Sequence, residues 1–316
     1  ISAPFDVAAL EWGDGTPMEF NVDYQLFIYD GDKRARTGNG WQRVGGTMEK
    51  NSAYFIGFDD ENATNQNIIR LKAANKAIPT ATSIALEEHS ATYGQDETEI
   101  AKNSNWNGLG NPRLNYVNLN KNVSVYEAEE ERFDTYAEES ANGFVVGTAF
   151  FVQGTGDLTF ENEAHGEYRA PKRENEHYMY CVEIAQENAS RYDNRLYVMA
   201  SETASTSFEE GKDLPTLNSE TSKYGALIWT KNYGMRLVIE ETPMVNNKAS
   251  YELGIFAPTA GTYSISVAAP QENAELYLTK NGHIIWNLTM SPCELELTQG
   301  QNETSRSEER FSRNAE

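Results

Sequence analysis

The residues in this chain that are able to do chemistry are mostly carboxylates. Asp and Glu number 48 against 26 Lys and Arg, for a formal net charge of −22. Two carboxylates flanking a glycosidic bond are enough for a hydrolase, so a β-sandwich hydrolase with such a pair is one reading. With acids this abundant, close pairs arise by chance and no particular pair is singled out. Runs such as Glu129-Glu130-Glu131 and Glu308-Glu309 read as solvated faces. The four histidines, His89, His165, His177 and His283, lie in four separate segments and nominate no general base. Cys181 sits in an apolar strand pattern, which suits an inert thiol. It and Cys293 read equally as one bridge or as two reduced core thiols. No G-x-S-x-G elbow, H-E-x-x-H pair, P-loop or dinucleotide fingerprint occurs. No catalytic residue, metal ligand or cofactor is expected.

Binding chemistry is the better question. The turns "YDGDKRARTGNG" and "FDDENATNQN" are rich in Asp and Asn. They lack EF-hand spacing, and Lys33, Arg34 and Arg36 oppose a cation in the first. They read as turn chemistry, in which Asp and Asn satisfy their own backbone. Five tryptophans offer flat indole faces suited to the apolar side of a sugar. Trp229 and Trp286 lie within apolar strands and read as core. Trp12, Trp41 and Trp106 adjoin glycines at strand ends, where exposure is more frequent, and are the candidate ligand-binding residues. The competing reading has them plug the end of a sandwich. In "NWNGLGNP" (105–112) the glycines then serve turn conformations, with Trp106 as the anchor.

These residues must be carried by strands. "FNVDYQLFIYD" alternates Phe20, Val22, Tyr24, Leu26 and Ile28 on one face. Short β-rich runs recur through "AFFVQG", "YMYCVEIA", "RLYVMA", "MRLVIEE", "YELGIFA", "GTYSISVAA" and "HIIWNLT", with Gly, Pro, Asn or Asp between them. The expected fold is all-β, two jelly-roll-like β-sandwich domains with little helix. "YEAEEERFDTYAEESA" has no apolar stripe and reads as a polar hairpin; "FEEGKDLPTLNS" could hold one helical turn before Pro215. The polar stretch 161–177 places the division near residue 165, giving domains 1–165 and 166–316.

Charge and hydropathy narrow the partners. A surface this acidic repels phosphates, so nucleic acid is not expected. No apolar run approaches the roughly 20 residues of a spanning helix, so membrane insertion is not expected. The chain begins "ISAPFDV", without a signal-peptide pattern.

The octamer, with its neighbours, resembles a known pattern. "WNGLGNP" is similar to the W-N-L-V-G-N-P-Y-P box of secreted and surface proteins of Bacteroidetes, and "GTAFFVQGTGDLTF" resembles the strand that follows it there. "APFDV", "YDGDKRA" and "NSAYFIGFD" are similar to upstream segments of those proteins, and "GIFAPTAGTYSISV" to their C-terminal β-sandwich. Arg113-Leu114 replaces the family's Tyr-Pro, and "GKDLPTL" departs from its usual form. The resemblance implies a secreted or cell-surface bacterial location and a non-catalytic role in adhesion or in display of an attached module. It also implies an earlier strand ahead of Ile1. The expected partner is a surface glycan or a host or cell-surface protein, with the oligomeric state open. A glycan-binding module is the alternative, and the hydrolase the second alternative.

Overall fold

The computed structural model describes residues 1–58, 69–75, 80–128, 131–138, 141, 143–163, 178–187, 189, 193–219, 221–223, 225–268 and 274–311. The chain is all-β, with two short helices among the described residues. It forms two compact units: Ile1–Val125 with Glu138–Arg169, and Tyr126–Ala137 with Ala170–Glu316. A single cut near 165 has no place for the excursion Tyr126–Ala137, which the polar break does not announce.

The first unit opens with β1 (Val7–Trp12) and β2 (Tyr24–Tyr29), then α1 (Gly31–Thr37), β3 (Trp41–Arg43), β4 (Tyr54–Phe58), β5 (Ile69–Ala73) and β6 (Ser83–Leu86). It continues with α2 (Glu97–Asn103), β7 (Trp106–Gly110), β8 (Tyr116–Leu119) and β9 (Val123–Glu127). After β10 (Arg132–Tyr136), which belongs to the second unit, come β11 (Ala149–Gln153) and β12 (Gly156–Glu163). Small antiparallel sheets result: β1 with β5, β3-β2-β4, and β6-β12-β8, while β11 pairs with β7 and β9. Tyr24, Leu26 and Tyr54 turn one face of β2 and β4 into a core with Val7, Leu10 and Met48. The strand starts at Tyr24 and not at Phe20, because residues 21–23 form a turn. Asn21 takes a left-handed φ of 69° and the Asp23 carboxylate accepts the Glu19 N–H, leaving Val22 exposed.

Both helices were unforeseen. In α1 the Asp30 side chain caps the Lys33 N–H, and Gly38 closes the helix at φ 75°. This is the stretch weighed as a cation loop: Asp30 is spent as a cap. In α2, Asp96 accepts the Glu99 N–H while the Glu99 carboxylate accepts the Gln95 N–H. No helix among the described residues is long and apolar enough to cross a membrane.

The second unit holds β13 (Tyr178–Gln186), β14 (Asn194–Ser201), β15 (Leu214–Pro215), β16 (Leu227–Asn232), β17 (Met235–Pro243) and β18 (Lys248–Ala257). It ends with β19 (Gly261–Ala268), β20 (Ala274–Lys280), β21 (His283–Asn287), β22 (Cys293–Leu297) and β23 (Gly300–Phe311). All join one eleven-stranded sheet ordered β21-β20-β23-β18-β16-β17-β14-β13-β19-β22, with β15 attached to β17. β14 and β17 run parallel; the other pairings described are antiparallel. Leu276 and Leu278 of β20 share one core with Cys293 and Leu297 of β22, strands near opposite ends of the order. The sheet is therefore curled on itself, so that one sheet supplies both layers. The "EEGKDLP" stretch forms a turn with a Glu210–Asp213 bridge leading into β15, not a helical turn. Cys181 and Cys293 are both free thiols, and burial pushes the Cys181 thiol up to about 12.

Across β16 and β18, Trp229 and Gly254 are direct partners. A Cβ on Gly254 would fall inside the Trp229 indole, whose ring is buried. Gly254→Ala is expected to cost about 1–3 kcal/mol of stability through overpacking, read as a lower denaturant midpoint with an unchanged slope.

Candidate functional site

The octamer is a strand. Trp106 to Gly110 pair in antiparallel register with Gln153 to Ala149. The Trp106 indole is fully buried, donates its Nε1–H to the Lys102 carbonyl at 2.9 Å, and lies under the Arg34 guanidinium at 5.0 Å. Its glycines do not serve a turn. Neither has positive φ. A Cβ on Gly108 would sit 2.7 Å from Tyr29 Cβ, and one on Gly110 would overlap the Ser2 side chain, so both are present because neighbours approach closely. The asparagines act as extra backbone. Asn105 Oδ1 accepts the His89 N–H, and Asn107 exchanges two hydrogen bonds with Glu87, accepting its N–H and donating to its carbonyl. Asn111 accepts the Arg113 N–H and donates to the Asn115 carbonyl.

With no exposed face, Trp106 cannot stack on a ligand. Trp12, at the end of β1, is buried as well, packed against Phe58 at 6.3 Å. The structure thus corrects two of the three expected ligand-binding tryptophans: the glycines beside Trp106 admit close packing, and those beside Trp12 turn the chain, with Gly15 at φ 91°, without exposing the indole. Trp41 differs: it is half-buried and stands edge-on to Tyr29, Phe55 and Phe151 at 5.4, 6.0 and 5.7 Å. Trp286, read as core, is 43% exposed. Its strand lies at the end of the sheet order, so apolar sequence neighbours do not imply burial.

Trp41 belongs to a formed face. Residues directly opposite across antiparallel strands share a side of the sheet. Trp41 faces Tyr29; Arg43 and Phe55 flank Phe27; Gly57 faces Gln25. This side is the reverse of the one that carries Tyr24, Leu26 and Tyr54 into the core. A depression of about 370 Å³ lies at the Tyr24–Phe58 end of this sheet, bordered by Gln25, Phe27 and Gly57 of this side, by Tyr24 and Phe58 of the other, and by Asn21 and Val22 of the preceding turn. Gly57 keeps the depression open: a Cβ there would meet nothing within 4 Å. Phe55 and Phe58 are exposed. The Arg43 guanidinium donates to Asn21 Oδ1 at 2.6 Å, which holds a charged donor beside the rim. The bordering residues include no Asp, Glu, His or Cys. Aromatic floor, amide rim and open glycine can stack and hydrogen-bond a ligand; they supply no nucleophile and no acid–base pair.

Carboxylates gather elsewhere, in the second unit, but inside the sheet. Asp213 is buried and accepts the Glu209 and Glu241 N–H groups at 2.9 Å each. Buried Glu240 accepts from Asn232 at 2.6 Å and from Thr242 at 2.9 Å. Buried Glu241 accepts from Ser201 and lies 3.6 Å from Lys212 Nζ. Their hydrogen bonds hold the turn before β15 against β17. Asp134 on β10 lies 3.4 Å from Arg195 and is likewise buried; burial pushes its carboxyl up against the pull of Arg195 and Arg132. Arg195 stacks over Tyr136 at 4.9 Å, and Asn218 exchanges two hydrogen bonds with the Phe133 backbone, so the excursion is fastened by side chains. His89, also buried, pairs with Asp32 at 2.8 Å beside α1. His165, His177 and the turn 59–67 lie outside the described residues. No group of three or more potential metal ligands occurs among the described residues.

Compared with models of protein families, with curated proteins and with solved structures, the chain matches none.

Two expectations follow. Trp106→Ala should cost about 3–5 kcal/mol, the range for a buried aromatic, measured by chemical denaturation. Asp213 is pushed up to about 7, chiefly by burial. Its unfolded value is near 3.9, so the folded state binds this proton more tightly. The group's contribution to stability is therefore largest at low pH and falls as pH rises through about 7. Melting temperatures from pH 5.5 to 8.5 should show that slope flattened in Asp213→Asn, even though the variant loses one backbone acceptor. An identical slope in both proteins would exclude Asp213 as the titrating group.

Proposed function

We propose that this chain is a non-catalytic binding protein, secreted or displayed on a bacterial surface, which holds an uncharged glycan on the β2–β3–β4 face in the service of adhesion. The carrying observation is the depression over Phe27 and Gly57. Its aromatic floor suits the apolar side of a pyranose, and the Asn21, Gln25 and Arg43 groups beside it suit hydroxyls. The net charge of −22 disfavours sulfated or sialylated ligands and leaves neutral ones. The surface location rests on the resemblance carried by "WNGLGNP" and "GTAFFVQGTGDLTF". Of the three tryptophans, only Trp41 enters this reading, as the support behind Phe55.

The test is a neutral-glycan array followed by calorimetry on the full chain. Gly57→Val fills the opening with a side chain that meets no neighbour at its Cβ, so binding should vanish while the melting temperature holds. Phe27→Ala should weaken binding about tenfold, the equivalent of 1.4 kcal/mol. Glycan binding that survives Gly57→Val would move the site elsewhere, and an array without neutral ligands would end the glycan reading.

A further inference from the structure

The second unit carries an edge that a stable monomer has reason to conceal. Strand β21 is exposed from His283 through Trp286, with Ile284, Ile285 and Trp286 each 41–43% exposed and Met290 80% exposed just beyond. Its one sheet partner among the described residues is β20. Edge strands are normally blunted by charge or proline, because their unpaired backbone groups recruit other chains. Here the edge carries two isoleucines and an indole. It also lies in a stretch with unusual charge: from Leu276 to Cys293 there is no Asp or Glu, although the chain holds 48 of them. Lys280 and His283 stand at its start. At its other end the Glu275 carboxylate is held by Asn287 Nδ2 at 3.2 Å and the Tyr277 hydroxyl at 2.7 Å.

We propose that β21 is a self-association edge, at which two copies of the chain lie antiparallel, β21 against β21. Two molecules of charge −22 can approach closely only where acids are absent, and this strip is acid-free. An antiparallel arrangement sets the Lys280–His283 end of one copy beside the Glu275–Asn287 end of the other, so opposite charges meet at both ends. The centre brings Trp286 of each copy against Ile284 of the other. The ladder between β20 and β21 shifts register at Leu278/Thr279. That irregularity adds twist and limits open-ended pairing, which suits a closed two-fold pair over a fibre.

Sedimentation velocity of the full chain, from about 1 μM to about 1 mM, should show a monomer–dimer equilibrium. Trp286→Lys and Ile284→Lys place charge at exposed positions and should each raise the dimer dissociation constant by about tenfold or more with unchanged melting temperature. His283→Glu should weaken the dimer as well, by facing Glu275 with a like charge. Ile285→Cys should give a disulfide- or bismaleimide-linked dimer that the parent chain, with its own two thiols, does not. A chain that stays monomeric throughout overturns the proposal, as does one that stays monomeric and floats with neutral phosphatidylcholine vesicles through Trp286. A dimer indifferent to all four substitutions forms through another surface and equally overturns it.

Discussion

A sheet of eleven strands has a long apolar face to bury, and among the described residues the core on that face is drawn from the sheet itself. That constraint shapes the second unit. The sheet curls until Leu276 and Leu278 near one end meet Cys293 and Leu297 near the other, with Tyr180, Ile184, Leu253 and Ile265 filling the space between. On the opposite face Gly254 makes room where the Trp229 ring crosses β18. A curled sheet that does not hydrogen-bond its ends together still has edges, and burial inside it guarantees nothing for a strand at the rim. This is why the apolar run His283–Trp286 lies open while the equally apolar Leu227–Trp229 is sealed.

The first unit meets the same demand with small sheets, and small sheets leave many backbone groups to satisfy. Asparagine side chains take the place of missing strand neighbours at Asn105, Asn107 and Asn111, and glycines let Tyr29 and Ser2 reach the strand that carries them. Beyond Tyr29 and Trp41, which pack on Phe151, the reverse side of β2–β3–β4 is not needed for the core. Its other residues are consequently free to differ from core requirements, and they combine aromatic rings with amides and one unfilled glycine position.

Much of the fold was legible in the sequence because strand periodicity is local. Tyr24, Leu26 and Tyr54 sit where alternation places them, and the apolar runs of the second half all became strands. What failed had physical reasons. The seven-residue helices are too short to show a stripe, although the Asp96–Glu99 pair is a capping box that could have been seen. The glycines of "NWNGLGNP" read as turn residues in sequence, yet their role depends on Tyr29 and Ser2, distant in sequence. Burial of Trp12 and exposure of Trp286 depend on strand order, which no window of neighbours contains. The β2–β4 face was half legible: Trp41 was singled out, whereas Phe27, Phe55 and Gly57 become a site only through their register.

The excursion Tyr126–Ala137 has a consequence for synthesis on the ribosome. Phe133 finds its backbone partners on Asn218, 85 residues further along. At roughly 5–20 residues per second, that partner emerges about 4–17 seconds later. During the interval Phe133 has only the Tyr126 ring, 5.2 Å away in the folded chain, to pack on and Tyr136 still lacks Arg195, while all the residues of the first unit precede Asn218. The nascent chain therefore carries an unsatisfied aromatic loop, and the strongly acidic residues around it, Glu127 to Glu131 and Glu138, keep that loop hydrated while it waits.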